Sequence, residues 1–203
     1  MAYPTVSAPY GLKPVNLIGG QVFAGSTRLM QIASGYATSI FYGDLVKRHT
    51  DGTIQLDGGT STATPCGVFL GVSFTNGSTG QVQQQQYYPA SQSIKSGTQI
   101  FAVVADDPDV LFQVVSCNAT TTVTAMGITA IGSNVALIQN VGSTTTGNSA
   151  VAINTTTLAT TSALPIRIID VVRDTATGAD AFVEFIVKIN INTHQYTNPT
   201  GVA

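Results

Sequence analysis

Apolar positions in this chain fall mostly in short β-branched or aromatic runs separated by clusters of Gly, Asn, Asp and Thr, and helical periodicity is nearly absent. Short runs so bounded belong to strands of an antiparallel sandwich or barrel, whereas a helix would repeat its apolar positions every three or four residues. Strands are expected at 28–32, 44–48, 53–56, 67–74, 82–88, 99–105 and 110–115, with shorter extended pieces at 21–23 and 39–41. Further along, strands are expected at 135–139, 150–153, 165–172 and 182–191. The last run alternates most cleanly. Phe182, Glu184, Ile186 and Lys188 share one face, and Val183, Phe185, Val187 and Ile189 share the other. Asp51-Gly52 lies between two of these runs and is a hairpin signal, because Gly accepts the left-handed backbone that tight hairpin turns need.

The pattern divides the chain. Residues 1–20 carry Pro4, Pro9 and Pro14 at intervals of five, interleaved with Tyr3, Val6, Tyr10, Leu12 and Val15. Proline at that density excludes helix and central strand, which leaves an extended arm with apolar teeth, expected to dock on a partner. Residues 21–115 read as a β-barrel domain. From Ser116 the connecting sequence becomes rich in Thr, Ser, Gly and Asn, so 116–197 is expected to form a second, sandwich-like β-unit and 198–203 a short mobile tail. The fold class expected is all-β.

Composition sharpens this. Hydrophobic residues make up 43% of the 203-residue chain, enough for a core, but only 9% are charged, far below the quarter or so usual in soluble domains. A surface made polar by amides and hydroxyls has little electrostatic repulsion between copies, which favours assembly; a secreted, Thr/Ser-rich β-protein would share this composition. The eight basic residues are scattered, with only Lys47 and Arg48 adjacent, so the clustered footprint that neutralises phosphates is missing and no nucleic-acid partner is expected. No apolar run approaches the length that spans a bilayer, and no membrane partner is expected. The first twenty residues lack the pattern of a secretory leader, so Cys66 and Cys117 are expected as two reduced thiols.

Candidate chemistry is sparse. His49 and His194 have no Cys or acidic ligands at zinc-site spacings. No Gly-x-Ser-x-Gly elbow, phosphate loop or dinucleotide fingerprint occurs. A Ser-His-Asp triad assembled by folding is open to any sequence holding those residues. Asp106, Asp107 and Asp109 could offer oxygen ligands to Ca²⁺, but Asp-Asp-Pro-Asp is also ordinary turn chemistry, with Asp accepting from nearby amides and Pro fixing the backbone. No catalytic residue, cofactor or metal is expected. Gln83–Gln86 followed by Tyr87-Tyr88 places amides on both faces of one strand, which suits a sheet edge or an interface better than a core.

The order Gly43-Asp44-Leu45-Val46, Asp51-Gly52-Thr53-Ile54, Gly67-Val68-Phe69-Leu70-Gly71-Val72 resembles the small barrel of head decoration (cement) proteins of tailed bacteriophages. The stretch Val103-Val104-Ala105-Asp106-Asp107-Pro108 and the ending Ile189-Asn190-Ile191-Asn192-Thr193-His194-Gln195-Tyr196 are similar to structural proteins of marine and cyanobacterial phages. The barrel resemblance spans residues 36–115. It implies a non-enzymatic virion protein on the capsid exterior, with the major capsid protein and neighbouring copies of itself, as dimers or trimers, for partners. The second unit has no counterpart in the short decoration proteins. Contacts are expected from Tyr3, Pro4, Val6, Tyr10 and Leu12 in the arm and then from Tyr87 and Tyr88, because aromatic anchors concentrate interface energy. Two rivals differ in kind. A tail or receptor-binding β-module would recognise a host glycan, though the chain has no Trp to stack on sugars; a β-fold hydrolase would need ionisable groups that are scarce here. A shell-building capsid subunit is disfavoured, because that fold needs a long helix.

Overall fold

A computed structural model describes residues 8–117, 127–175 and 182–190, and within them the chain is all-β, with twelve strands and two single 3-10 turns. The first unit comprises β2 (Arg28–Ile32), β3 (Leu45–Arg48), β4 (Ile54–Leu56), β5 (Gly67–Thr75), β6 (Val82–Gln85) and β7 (Ile100–Ala105). Five of these close into a barrel in the order β3-β4-β2-β7-β5, with β5 returning to β3. Alternation decides what lies inside: Met30, Ile32, Val46, Ile54, Val72, Ile100, Ala102 and Val104 are all buried in one cluster. Among the described residues β6 pairs only with β5 and forms an edge. The β3–β4 hairpin turns where expected, with Gly52 at φ +84° and the Asp51 carboxylate accepting from the Thr53 amide at 2.9 Å.

The second unit repeats the first. β8 (Val110–Cys117), β9 (Asn134–Ile138), β10 (Ala152–Ala159), β11 (Ile166–Val171) and β12 (Glu184–Ile189) pair in the order β8-β10-β9-β11-β12, and β12 returns to β8. In each ring the first strand pairs in parallel with the third, and every other pairing is antiparallel. The registers correspond residue for residue. Arg28↔Val104 matches Phe112↔Val187, Ile32↔Ile54 matches Ser116↔Ile153, Lys47↔Gln55 matches Ala136↔Asn154, and Val46↔Gly67 matches Val135↔Ile166. Even the irregularity recurs: the fourth strand bulges against the fifth between Phe69 and Gly71 in one ring and between Ile168 and Asp170 in the other. The expected sandwich-like second unit is a second copy of the same strand ring.

Three boundaries are corrected. The change of unit falls in the turn Asp106–Asp109, not near Val115, because β8 pairs entirely within the second sheet. The compositional shift at Ser116 marks the end of that ring's first strand. The Thr-rich stretch after residue 155 continues β10 to Ala159, since β-branched Thr fits a pleated surface as readily as a loop. Of the expected arm, residues from Ala8 onward belong to the body. Lys13–Leu17 forms β1, antiparallel to β8, and Pro14 is accommodated because β1 lies at the sheet edge. Residues 1–7 and the expected tail 198–203 lie outside the described residues.

The rings are packed together. Leu45, Val68 and Ala105, facing out of the first barrel, join Leu12, Val110, Phe112, Leu137 and Val151 in one buried cluster. Backbone bonds cross the same junction, from Gly11 to Val151 at 3.1 Å, Leu12 to Gly43 at 2.9 Å and Ser149 to Tyr42 at 2.9 Å.

Candidate functional site

The residues expected to make contacts are spread over different environments. Tyr3, Pro4 and Val6 lie outside the described residues. Leu12 is fully buried between the two units, and Tyr88 is fully buried in the first barrel, where its hydroxyl donates to the Tyr36 carbonyl at 2.9 Å. Both are corrected from contact residues to core residues: each side chain already has its apolar or polar partner inside the chain and no surface left to offer. Tyr10 is half-buried. Its hydroxyl donates to the Glu184 carboxylate, the Lys13 ammonium sits 4.0 Å from its ring centre, and burial first, then the bond to Glu184, pushes its pKa upward. Tyr87 stacks on Phe41 with ring centres 5.4 Å apart, so it buttresses that ring and leaves only part of its surface exposed.

The Gly43-Asp44 pair explains itself as junction chemistry. Gly43 has φ +92°, donates to the Phe69 carbonyl at 2.8 Å and accepts from Leu12; a Cβ there would stand 3.0 Å from the Leu12 nitrogen. Asp44 is 4% exposed and accepts from the Phe41 amide at 2.7 Å. Burial raises its pKa, against the opposing effect of its bonds to Ser149 and Phe41. Beside it, Thr38, Phe41, Leu56, Gln139 and Asn140 line a cavity of about 420 Å³ between the units. The Asp106–Asp109 turn ties the rings together by ion pairs. Asp106 meets Arg28 of the first ring at 2.8 Å, and Asp109 meets Lys188 of the second at 3.4 Å, while Asp107 accepts from the Asp109 amide at 2.9 Å. The carboxylates thus act as turn and clamp, and among the described residues no group of three metal-ligating side chains is assembled. His49 pairs with Asp51 on the exposed hairpin. Cys66 and Cys117 lie in separate clusters and are not bonded to each other, and burial pushes each thiol up to about 11, which makes both poor nucleophiles.

Sequence reasoning missed the most suggestive surface. Across the outside of the first barrel, Leu29, Leu70, Ser73, Gln85, Phe101 and Val103 line an open groove of about 480 Å³ with no charged group among its described lining residues. Leu29 is 64% and Phe101 37% exposed, and Val82 on the β6 edge is 71% exposed. Gln85 Oε1, in the groove wall, is buried with no hydrogen-bond partner among the described residues. A patch of this kind, apolar and uncharged beside an edge strand, has the chemistry of an interface core. The signal was present: Leu29 and Phe101 fall on the outward phase of β2 and β7, where a solvated barrel would carry polar residues.

Comparison with models of known families, with characterised proteins and with solved structures finds no match to this chain. Among the described residues no helix is long and apolar enough to cross a membrane.

Proposed function

We propose that this chain is a structural virion protein of the head decoration type, which binds the outer surface of a tailed-phage capsid through the major capsid protein and stabilises the shell without catalysis. The observation that carries the reading is the coincidence of motif and fold. The three segments that resemble decoration proteins run through β3, β4 and β5, three strands of a closed five-stranded barrel. The uncharged groove and the edge strand beside it support the reading, because affinity at such a surface comes from apolar burial and β-addition, and repetition over a symmetric lattice multiplies a modest contact. Co-sedimentation of the purified protein with expanded heads lacking it tests this. Saturable binding at a fixed ratio to the major capsid protein is expected, and absence of binding contradicts the proposal.

One observation favours a second reading. The cavity at the junction is walled by Thr38, Ser39, Gln139, Asn140 and the Phe41 ring, hydroxyl, amide and aromatic groups that suit a sugar. Saturable binding to host polysaccharide, with none to heads, would move the chain to the receptor-binding class.

A further inference from the structure

The row of side chains that joins the first ring to the second has a counterpart in the second ring. In the first ring Leu45 lies opposite Val68 and Val68 opposite Ala105, so the three stand side by side across β3, β5 and β7. They face out of the barrel and are buried in the cluster shared with the second ring. At the same register positions of the second ring stand Asn134, Arg167 and Lys188, with Asn134 opposite Arg167 and Arg167 opposite Lys188 across β9, β11 and β12. The apolar row that makes a junction is thus replaced by a polar row with two cations.

Like charges directly opposite on neighbouring strands repel, and these are two of only eight basic residues in the chain. Lys188 reaches Asp109 at 3.4 Å, but among the described residues no carboxylate pairs with Arg167. Arg167 is exposed and held in place from one side: its Nε donates to Asn134 Oδ1 at 2.9 Å. Asn134 is 1% exposed and is fixed in turn by donating to the Thr161 carbonyl at 2.8 Å. A guanidinium carries five N–H donors, so its remaining donors are free to meet an acceptor. Arg167 and Lys188 share a concavity of about 300 Å³ with Ile18, Ile169, Ile189 and Asn190. Ile18 is 51% exposed, so the cations are flanked by open apolar surface.

We propose that the Asn134–Arg167–Lys188 row docks an acidic segment of a partner protein. A carboxylate of the partner bridges Arg167 and Lys188, where charge-assisted bonds to a forked guanidinium are strong, and an apolar side chain beside it covers Ile18 and Ile169. Charge complementarity selects the acidic partner, and the equivalent row of the first ring is already an interface. A second copy stacked in the same way does not fit. The cluster that the first ring's row joins includes Phe112 and Leu137, whose register positions in the first ring hold Arg28 and Arg48, so cations would be set against cations. The inference does not depend on the capsid reading, because failure of the test below leaves co-sedimentation with heads unchanged.

Titration of the ¹⁵N-labelled protein with the peptide acetyl-Leu-Glu-Leu-Glu-amide tests the proposal. Saturable shifts centred on β9, β11 and β12 are expected, with none from the Leu-Gln-Leu-Gln counterpart or from inorganic phosphate. Arg167→Gln and Lys188→Gln should each weaken binding by about tenfold or more, a loss equivalent to ~1.4 kcal/mol. Lys95→Gln, at an exposed cation in the first unit, should leave it unchanged. Raising the salt from about 0.02 M to about 0.2 M shortens the screening length and should weaken binding of the acidic peptide. Absence of binding, equal binding of the neutral peptide, binding of phosphate in place of the acidic peptide, or affinity that falls equally with Lys95→Gln would overturn the proposal.

Discussion

Gly43 and Asp44 show how much of this junction rests on single residues. Gly20 and Gly43 both have positive φ, but nothing lies within 4 Å of a Cβ at Gly20, whereas at Gly43 the Leu12 backbone is 3.0 Å away. Gly43→Ala is expected to cost about 1–3 kcal/mol and more than Gly20→Ala in chemical denaturation. Asp44 carries a pH signature. Its folded pKa is raised by burial, so between about pH 4, where an unfolded Asp titrates, and that raised value the folded chain holds more protons than the unfolded chain. Stability from this group is greatest at the acid end of the window and falls as pH rises through it. Comparing thermal unfolding of Asp44→Asn with the parent protein from pH 4 to 7 should show a shallower decline with pH in the variant; parallel curves would count against a buried, proton-retaining Asp44. Sequence made Gly43-Asp44 visible as a motif, but not as a junction, because Leu12, Phe41, Phe69 and Ser149 reach it only through the fold.

At the scale of elements, short apolar runs bounded by turn residues located nearly every strand, because strands such as β5, β8 and β9 are buried on both faces and read as near-continuous apolar sequence. What they could not supply was partnership. Leu12 reads as a tooth on a proline-rich arm, yet it is fully buried between the units. Leu12→Ala should therefore destabilise the isolated protein by ~2–5 kcal/mol, measured by urea unfolding; a contact-only residue would leave that midpoint unchanged. The repeat was hidden for a related reason. Inward positions agree in kind, Val46 with Val135, Ile54 with Ile153, Val72 with Val171 and Val104 with Val187, since both interiors need β-branched packing. Outward and junction positions do not: Leu45 corresponds to Asn134, Arg48 to Leu137 and Phe101 to Glu184. Each ring faces different surroundings, so only the pairing register preserves the likeness.

For the whole molecule, a core that runs through the interface makes two rings one folding unit. Leu45, Val68 and Ala105 sit in the same cluster as the interior of the second ring, so unfolding either ring exposes apolar surface of the other. Urea unfolding followed by tyrosine fluorescence and by far-ultraviolet circular dichroism should give coincident single transitions; two separated midpoints would mean that the rings are independent domains. The all-β class was legible from short β-branched and aromatic runs and the turn residues between them, whereas the groove and the clamp at Asp106–Asp109 depend on tertiary placement. The assignment to the outside of a capsid rests on motif and surface chemistry together, and imaging addresses it most directly. Cryo-electron microscopy of phage particles with and without this protein should show added density at symmetric positions on the head surface, into which the two linked rings fit. Density at the tail only, or particles identical in both preparations, would contradict the proposal.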